Sequence, residues 1–165
     1  MESDYQSLFQ VRLANYDDIP AIMNITREAF VKYQQMSGVE KLAALEESYN
    51  DVKKDIDTKV VLLALSDGEP VGSVRVEVFP DKTAYLSRFA VKVTRQNNGI
   101  GKSIMNLVDK IMVKKGVTQI QLHTGSKITS LIRFYYGRGF YIASTDKSRG
   151  YVRALLIKEY QKKDC

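Results

Sequence analysis

The sequence lacks the cysteine pairs of a disulfide framework and the long apolar run of a membrane span. It contains one cysteine, Cys165, one histidine, His123, three prolines and no tryptophan. A lone cysteine excludes an internal disulfide, so we expect a reducing compartment, the cytoplasm. No run of 18 apolar residues occurs, which predicts no membrane span. The polar N-terminus, Met1–Tyr5, is also unlike a secretory signal.

What is present describes an ordinary globular chain. Its 165 residues are 44% hydrophobic and 27% charged, which suits one well-cored domain. We therefore expect a single domain over 1–165, with a core at about 9–160 and short polar tails. The net charge of +6 is spread along the chain in short basic doublets. This pattern predicts no nucleic-acid partner, although an anionic cofactor would benefit from the positive field.

Hydrophobic periodicity predicts strands and helices in the order β-α-α-β-β-β-α-β-α-β-β. The predicted strands are 8–14, Val60–Leu65, Val71–Phe79, Thr83–Val93, Thr118–Thr124, Phe140–Ser144 and Tyr151–Lys158. The predicted helices start after an N-cap at Asn15, span about Val39–Ile56, run from the glycine-bearing loop to Gly116, and cover Ile128 to Tyr135. A linker is expected at Gln34–Gly38. This mixed order predicts one α/β sheet with helices on both faces.

The second predicted helix, Val39–Ile56, also carries an expectation about side chains. Leu42, Leu45, Tyr49 and Val52 fall on one side of it at helical spacing. Glu46 and Glu47 fall on the opposite side, together with Lys53 and Lys54. These charged residues are therefore expected to face solvent.

The stretch Arg95–Ser103, with the sequence RQNNGIGKS, joins a predicted strand to a predicted helix. A glycine-bearing turn at a helix start directs unpaired N–H groups and the positive end of the helix dipole at a ligand, which favours a pyrophosphate. A P-loop would need Gly where Gln96 stands, and a dinucleotide-binding fingerprint would need a third small residue at Ile104. The pattern Gln/Arg-x-x-Gly-x-Gly/Ala is met in full by Gln96, Gly99 and Gly101.

That pattern is the coenzyme A pyrophosphate loop of the GNAT superfamily of N-acetyltransferases, which the chain resembles. The predicted order of elements and the segment Phe134-Tyr135-x-x-x-Gly139-Phe140 resemble the same family. The resemblance implies a mixed, mostly antiparallel sheet of about seven strands. It also implies acetyl-coenzyme A as co-substrate, with no metal, and dimers are common among relatives. The residues implied to contact the cofactor are Phe89, Ala90, Val91, Gln96, Asn98, Gly99, Ile100, Gly101, Lys102 and Ser103.

The resemblance assigns chemical roles to these residues. Backbone groups of Phe89, Ala90 and Val91 would pair with the pantetheine arm, and one N–H would stabilise the oxyanion. Tyr135 would donate a proton to the departing thiolate, with Tyr136 as an alternative.

The general base is left open by the sequence. Some relatives carry a carboxylate at the position of Tyr85, and many carry Asn at the position of Ile128. The candidate side chains are Glu77 on the preceding strand and His123. An ordered water could remove the proton instead, or the amine could arrive already neutral and need no base. A side chain at either candidate position could equally be structural.

The expected function is acetyl transfer from acetyl-coenzyme A to a primary amine of a small molecule or peptide, by direct attack in a ternary complex. The alternative is a coenzyme A-binding sensor or scaffold without activity. The sequence identifies neither the acceptor nor the oligomeric state.

Overall fold

The computed structural model describes residues 9–96 and 98–161. The predicted polar ends, with Cys165, lie outside these residues. The strands are β1 (Phe9–Leu13), β2 (Val60–Ser66), β3 (Glu69–Val78), β4 (Thr83–Val91), β5 (Gln119–Gly125), β6 (Tyr141–Asp146) and β7 (Arg153–Glu159). The helices are α1 (Ile19–Ser37), α2 (Tyr49–Thr58), α3 (Ile100–Lys114) and α4 (Thr129–Gly137). None of these helices is long and apolar enough to cross a membrane.

All seven strands form one sheet in the order β1-β2-β3-β4-β5-β7-β6. The β4–β5 pair is parallel and every other neighbouring pair is antiparallel. Successive residues of β2 point to opposite faces, as a pleated strand requires. Val61 and Leu63 pack against α1 and α2, whereas Leu62 and Ala64 belong to the core that includes α3. The predicted mixed sheet with helices on both faces is confirmed.

The structure corrects the predicted connection between the first two helices. Helix α1 continues through the expected linker to Ser37 and ends where Gly38 adopts a left-handed φ of 73°. The predicted helix Val39–Ile56 is instead a short 3-10 turn, Ala43–Leu45, followed by α2. Helix α2 begins at Tyr49 because Ser48 caps it, accepting from the Asp51 N–H at 3.2 Å while Asp51 accepts from the Ser48 N–H.

Glu47 was expected on the solvent side of a helix, and that expectation is wrong. Its carboxylate forms two hydrogen bonds with Arg75, at 2.6 and 2.7 Å, and only 9% of its side chain is exposed. Arg75 lies on β3, is 1% exposed, and also donates to Asp55 at 3.0 Å. Burial alone lowers the pKa of Arg75, but Glu47 and Asp55 outweigh it and raise that pKa. This ion pair attaches the segment before α2 to the sheet.

Helix α3 lies very close to β3 because Gly72 has no side chain. A Cβ built on Gly72 would lie 2.8 Å from Ile104 Cδ1 and 3.2 Å from both Ile100 Cγ2 and the Ala90 carbonyl oxygen. A real Cβ would therefore displace the start of α3 or the neighbouring strand. Because Gly72 has no side chain, the N-terminus of α3 can pack directly on the sheet.

We expect Gly72→Ala to lower the free energy of unfolding by about 1–3 kcal/mol, because the added methyl group overpacks this contact. Urea denaturation checks the value. Gly137→Ala is the matched control, since its Cβ would meet nothing within 4 Å. We expect the control to be neutral or slightly stabilising. Equal stability of the Gly72→Ala variant and the wild type would contradict the close-packing argument.

Candidate active site

Strands β4 and β5 pair over a short distance and then separate. Thr83, Ala84 and Tyr85 are in register with Gln119, Ile120 and Gln121, and no pair follows them. The β3–β4 register also shifts between Ser73 and Arg75, beside Arg88, which has a φ of 51°. This irregularity is a β-bulge. In the described part of the chain, the backbone of 86–91 therefore has no strand partner on its β5 side.

The predicted loop brings a helix N-terminus to the end of this opening. Gly99 adopts a left-handed φ of 80° at the N-cap of α3, and its carbonyl accepts from the Ser103 N–H at 3.0 Å. The N–H groups of Ile100, Gly101 and Lys102 therefore precede the first intrahelical donor and point out of the helix. Because its N–H is already bonded, Ser103 has only its hydroxyl to donate to a ligand.

A groove of about 560 Å³ lies between α1, the end of β4, the loop and α4. Three basic side chains, Lys32, Arg95 and Lys102, line it together with Gln96. The Gln96 side chain accepts from Lys32 Nζ at 2.8 Å and donates to the Val91 carbonyl at 3.3 Å, so it connects the loop to α1 and β4. The other lining residues are Ala29, Phe30, Tyr33, Met36, Phe89, Ala90, Val91, Gly99, Gly101, Ser130, Leu131 and Phe134.

Aromatic rings form the apolar wall of the groove. The rings of Phe89 and Phe134 stack with their centroids 5.5 Å apart. A Cβ on Gly101 would lie 3.1 Å from Phe89 Cζ and 3.3 Å from Phe134 Cζ. Glycine at this position therefore lets the helix start approach the two rings closely. The wall is suited to an uncharged, flexible chain, whereas the loop end of the groove is suited to an anion.

Tyr135 lies behind this wall and does not line the groove. It is 5% exposed, and its ring meets those of Phe89, Phe134 and Phe140 edge-on. Burial raises the pKa of its phenol, so the group keeps its proton at neutral pH. The alternative, Tyr136, is 51% exposed.

The two side chains considered for the general base, Glu77 and His123, lie in different surroundings. The Glu77 side chain is 45% exposed and lies 4.0 Å from Lys59 Nζ. His123 lies on β5, and its Nδ1 is 2.6 Å from the Tyr85 hydroxyl oxygen. Tyr85 is thus the hydrogen-bond partner of His123.

A second cavity, of about 720 Å³, lies between α2, β3 and β4. Five carboxylates and three basic side chains line it, so acidic groups outnumber basic ones. These residues are Glu46, Glu47, Asp51, Asp55 and Glu77, with Lys54, Lys59 and Arg88. Arg88 belongs to this cavity, whereas the next residue, Phe89, belongs to the groove. The two spaces therefore reach β4 at consecutive residues of the bulge. Within 9–96 and 98–161, no cluster of three potential metal ligands was found.

Tyr33 and Lys32 of α1 are site residues that the sequence did not reveal. The Tyr33 hydroxyl accepts from the Gly125 N–H at 2.8 Å and lies 3.1 Å from the Tyr151 hydroxyl. These contacts connect α1 to the end of β5 and to the segment before β7. Ile128 is buried, with its Cδ1 3.1 Å from where a Cβ of Gly125 would lie. No local motif marks Lys32 or Tyr33, because their contacts join residues 64, 92 and 118 positions apart.

Comparison with known proteins agrees with this geometry. Spermidine N(1)-acetyltransferase of Thermoplasma acidophilum is 23% identical over 149 residues, covering 84% of this chain and 92% of that protein. The crystal structure of the PaiA N-acetyltransferase of T. acidophilum with coenzyme A matches with a TM-score of 0.80 at 22% identity, covering 92% of this chain and 99% of that one.

A second structure, the ribosomal-protein-S18-alanine N-acetyltransferase of Escherichia coli, matches with a TM-score of 0.75 at 14% identity, covering 95% of this chain and 98% of that one. Structural similarity at 14–22% sequence identity shows the fold alone. The family itself is shown by the model of the acetyltransferase (GNAT) family, which matches residues 19–140, more than half of the chain. On this evidence, the chain belongs to the GNAT family of acetyltransferases.

Proposed function

We propose that this protein transfers the acetyl group of acetyl-coenzyme A to a primary amine in the cytoplasm, by direct attack in a ternary complex. The observation that carries the proposal is the opening between β4 and β5, which joins a groove ending at an unpaired helix N-terminus. An extended acetyl donor would match these features. Its amide groups would pair with the open strand, its apolar stretch would lie on the aromatic wall, and its pyrophosphate would lie at the helix N-terminus.

The pantetheine arm would bind as an added strand. Its amides pair with the free side of 86–91, as peptides do at an exposed sheet edge. Phe89 and Phe134 cover its apolar portion. The pyrophosphate accepts from the N–H groups at 100–102, and Lys32, Arg95 and Lys102 supply positive charge. The Ser103 hydroxyl adds a further donor.

The reaction would take place at the bulge in β4. The amine nitrogen attacks the thioester carbonyl carbon, and a backbone N–H of Phe89, Ala90 or Val91 stabilises the negative oxygen. The carbon–sulfur bond then breaks and the thiolate takes a proton from Tyr135, which requires the covering ring of Phe89 or Phe134 to turn aside. In this proposal the donor lies in the groove at Phe89 and the acceptor approaches from the second cavity at Arg88, so the acetyl group passes between them without a covalent enzyme intermediate.

The second cavity favours a cationic acceptor. Arg75 neutralises Glu47 and Asp55 in part, which leaves Glu46, Asp51 and Glu77 as acidic groups lining the space. Such an environment attracts a protonated amine. A related protein in T. acidophilum is a spermidine N(1)-acetyltransferase, so polyamines are the first acceptors to test.

The proposal is tested by an acceptor screen with acetyl-coenzyme A that measures released thiol and identifies the product by mass spectrometry. Polyamines, monoamines, amino acids and peptide N-termini are compared. We expect thiol release coupled to an N-acetylated amine, and a higher kcat/KM for polyamines than for neutral-tailed amines. A thermal shift with coenzyme A but no release with any acceptor would identify a binding protein without activity.

For Tyr135→Phe we expect kcat to fall by about 10²-fold or more, because the thiolate would leave without a proton donor. The affinity for coenzyme A should change little, since the substitution keeps the ring and its packing. Thiol release and calorimetric titration with coenzyme A check the two quantities.

Tyr136→Phe is the matched control, because it removes a hydroxyl from an exposed neighbour on the same helix. We expect its kcat to equal that of the wild type. An unchanged kcat in Tyr135→Phe would show that the buried phenol serves packing only. A loss of kcat in Tyr136→Phe alone would assign the proton donor to Tyr136.

A further inference from the structure

Tyr85 and His123 occupy the point at which the two central strands separate. Tyr85 is the last residue of β4 in register with β5, opposite Gln121. His123 follows Gln121 by two residues and therefore projects from the same face of the sheet. The 2.6 Å contact between the Tyr85 hydroxyl and His123 Nδ1 closes the narrow end of the opening. Both side chains are part-buried, so they are neither core residues nor freely solvated.

We propose that His123, held in place by Tyr85, is the general base that takes the proton from the acceptor amine. This inference rests on the proposed function. In it, His123 Nδ1–H donates to the Tyr85 oxygen, which leaves Nε2 with a free lone pair. Glu77, in register with Tyr85 on β3, is 45% exposed and has no contact with His123 among its hydrogen bonds and ion pairs in the described residues; its neighbour is Lys59, at 4.0 Å.

The proton balance is complete with groups already named. An R–NH3⁺ acceptor gives one proton to His123 Nε2, and the resulting lone pair forms the carbon–nitrogen bond. When the carbon–sulfur bond breaks, its electron pair leaves with sulfur, and Tyr135 supplies the proton that makes coenzyme A thiol. The second proton lost by the nitrogen restores Tyr135 by way of solvent. His123 returns its proton to water, so one proton is released for each acetyl group transferred.

The surroundings keep the imidazole in its basic form. Burial lowers the pKa of His123, and Arg153 on β7 and Arg149 in the segment before it lower it further, against the opposing effect of Asp146 on β6. Burial also raises the pKa of Tyr85, so its hydroxyl stays neutral. Two further titratable groups lie nearby. They are Tyr151, which contributes to raising the pKa of Tyr85, and Tyr33 on α1, whose hydroxyl is hydrogen-bonded to that of Tyr151. A neutral histidine is therefore available to accept a proton at neutral pH.

The test compares kcat at saturating acceptor across pH for the full chain and two variants. We expect His123→Gln to lower kcat by about 10²-fold at pH near 7. The deficit should narrow towards about pH 9.5, where more of an aliphatic amine is neutral without a base. We expect Tyr85→Phe to lower kcat by about 10-fold. The acid limb of its pH profile should move to lower pH, because the imidazolium loses a hydrogen-bond acceptor.

Tyr141→Phe is the matched control for Tyr85→Phe, since Tyr141 is an exposed tyrosine that donates to Glu159 on the outer strands. It should leave kcat and the pH profile unchanged. A thermal shift with coenzyme A verifies that each variant is folded. If the wild type is active and His123→Gln retains its kcat and pH profile, the base assignment is wrong and the proposed function stands. If the wild type acetylates no amine, the proposed function is wrong and the base assignment falls with it.

Discussion

The candidate site depends on one constraint, the separation of β4 and β5 after Tyr85. Backbone N–H and C=O groups inside a folded protein need hydrogen-bond partners. In the described residues, the gap leaves those of 86–91 without a strand partner on the β5 side. Proteins usually cover the unpaired backbone groups of an edge strand with a helix, a loop or charged side chains. Here the unpaired backbone groups line an open groove. A ligand with extended amide groups is the partner that satisfies them, and for that reason we assign the gap to a pantetheine arm.

Other parts of the molecule maintain this opening. The bulge at Arg88 interrupts the ladder between β3 and β4, which resumes at the pairs Ser73–Ala90 and Gly72–Val91. Gly72 lets α3 lie close to the sheet, which places the N–H groups of its first turn at the end of the groove. The Arg75–Glu47 ion pair fixes the segment that borders the second cavity. The donor groove and the second cavity therefore reach β4 at neighbouring residues, Phe89 and Arg88.

The features predicted correctly from the sequence are those that depend on residue spacing within one continuous stretch. The loop at Gln96–Gly101, the strand before it and the amphipathic α3 follow from spacing within one stretch, and all seven strands were anticipated. The contacts of Glu47 and His123 were not, because their partners lie 28 and 38 residues away and depend on strand register. Even the length of α2 was misjudged, since Ser48 and Asp51 formed a cap within a stretch of continuous helical periodicity. Tyr33 had no signal, as its role arises only when α1 crosses the end of β5.

The central claim is that coenzyme A fills the gap between β4 and β5, and amide NMR tests it most directly. Titration of the labelled protein with coenzyme A should shift the amide signals of Phe89 and Val91, those of Ile100–Lys102, and that of Gly125 across the gap. The signals of β6 and of the Asp67–Gly68 turn should stay in place. Shifts confined to the second cavity around Glu46 and Asp51, with the β4 amides unmoved, would contradict the account.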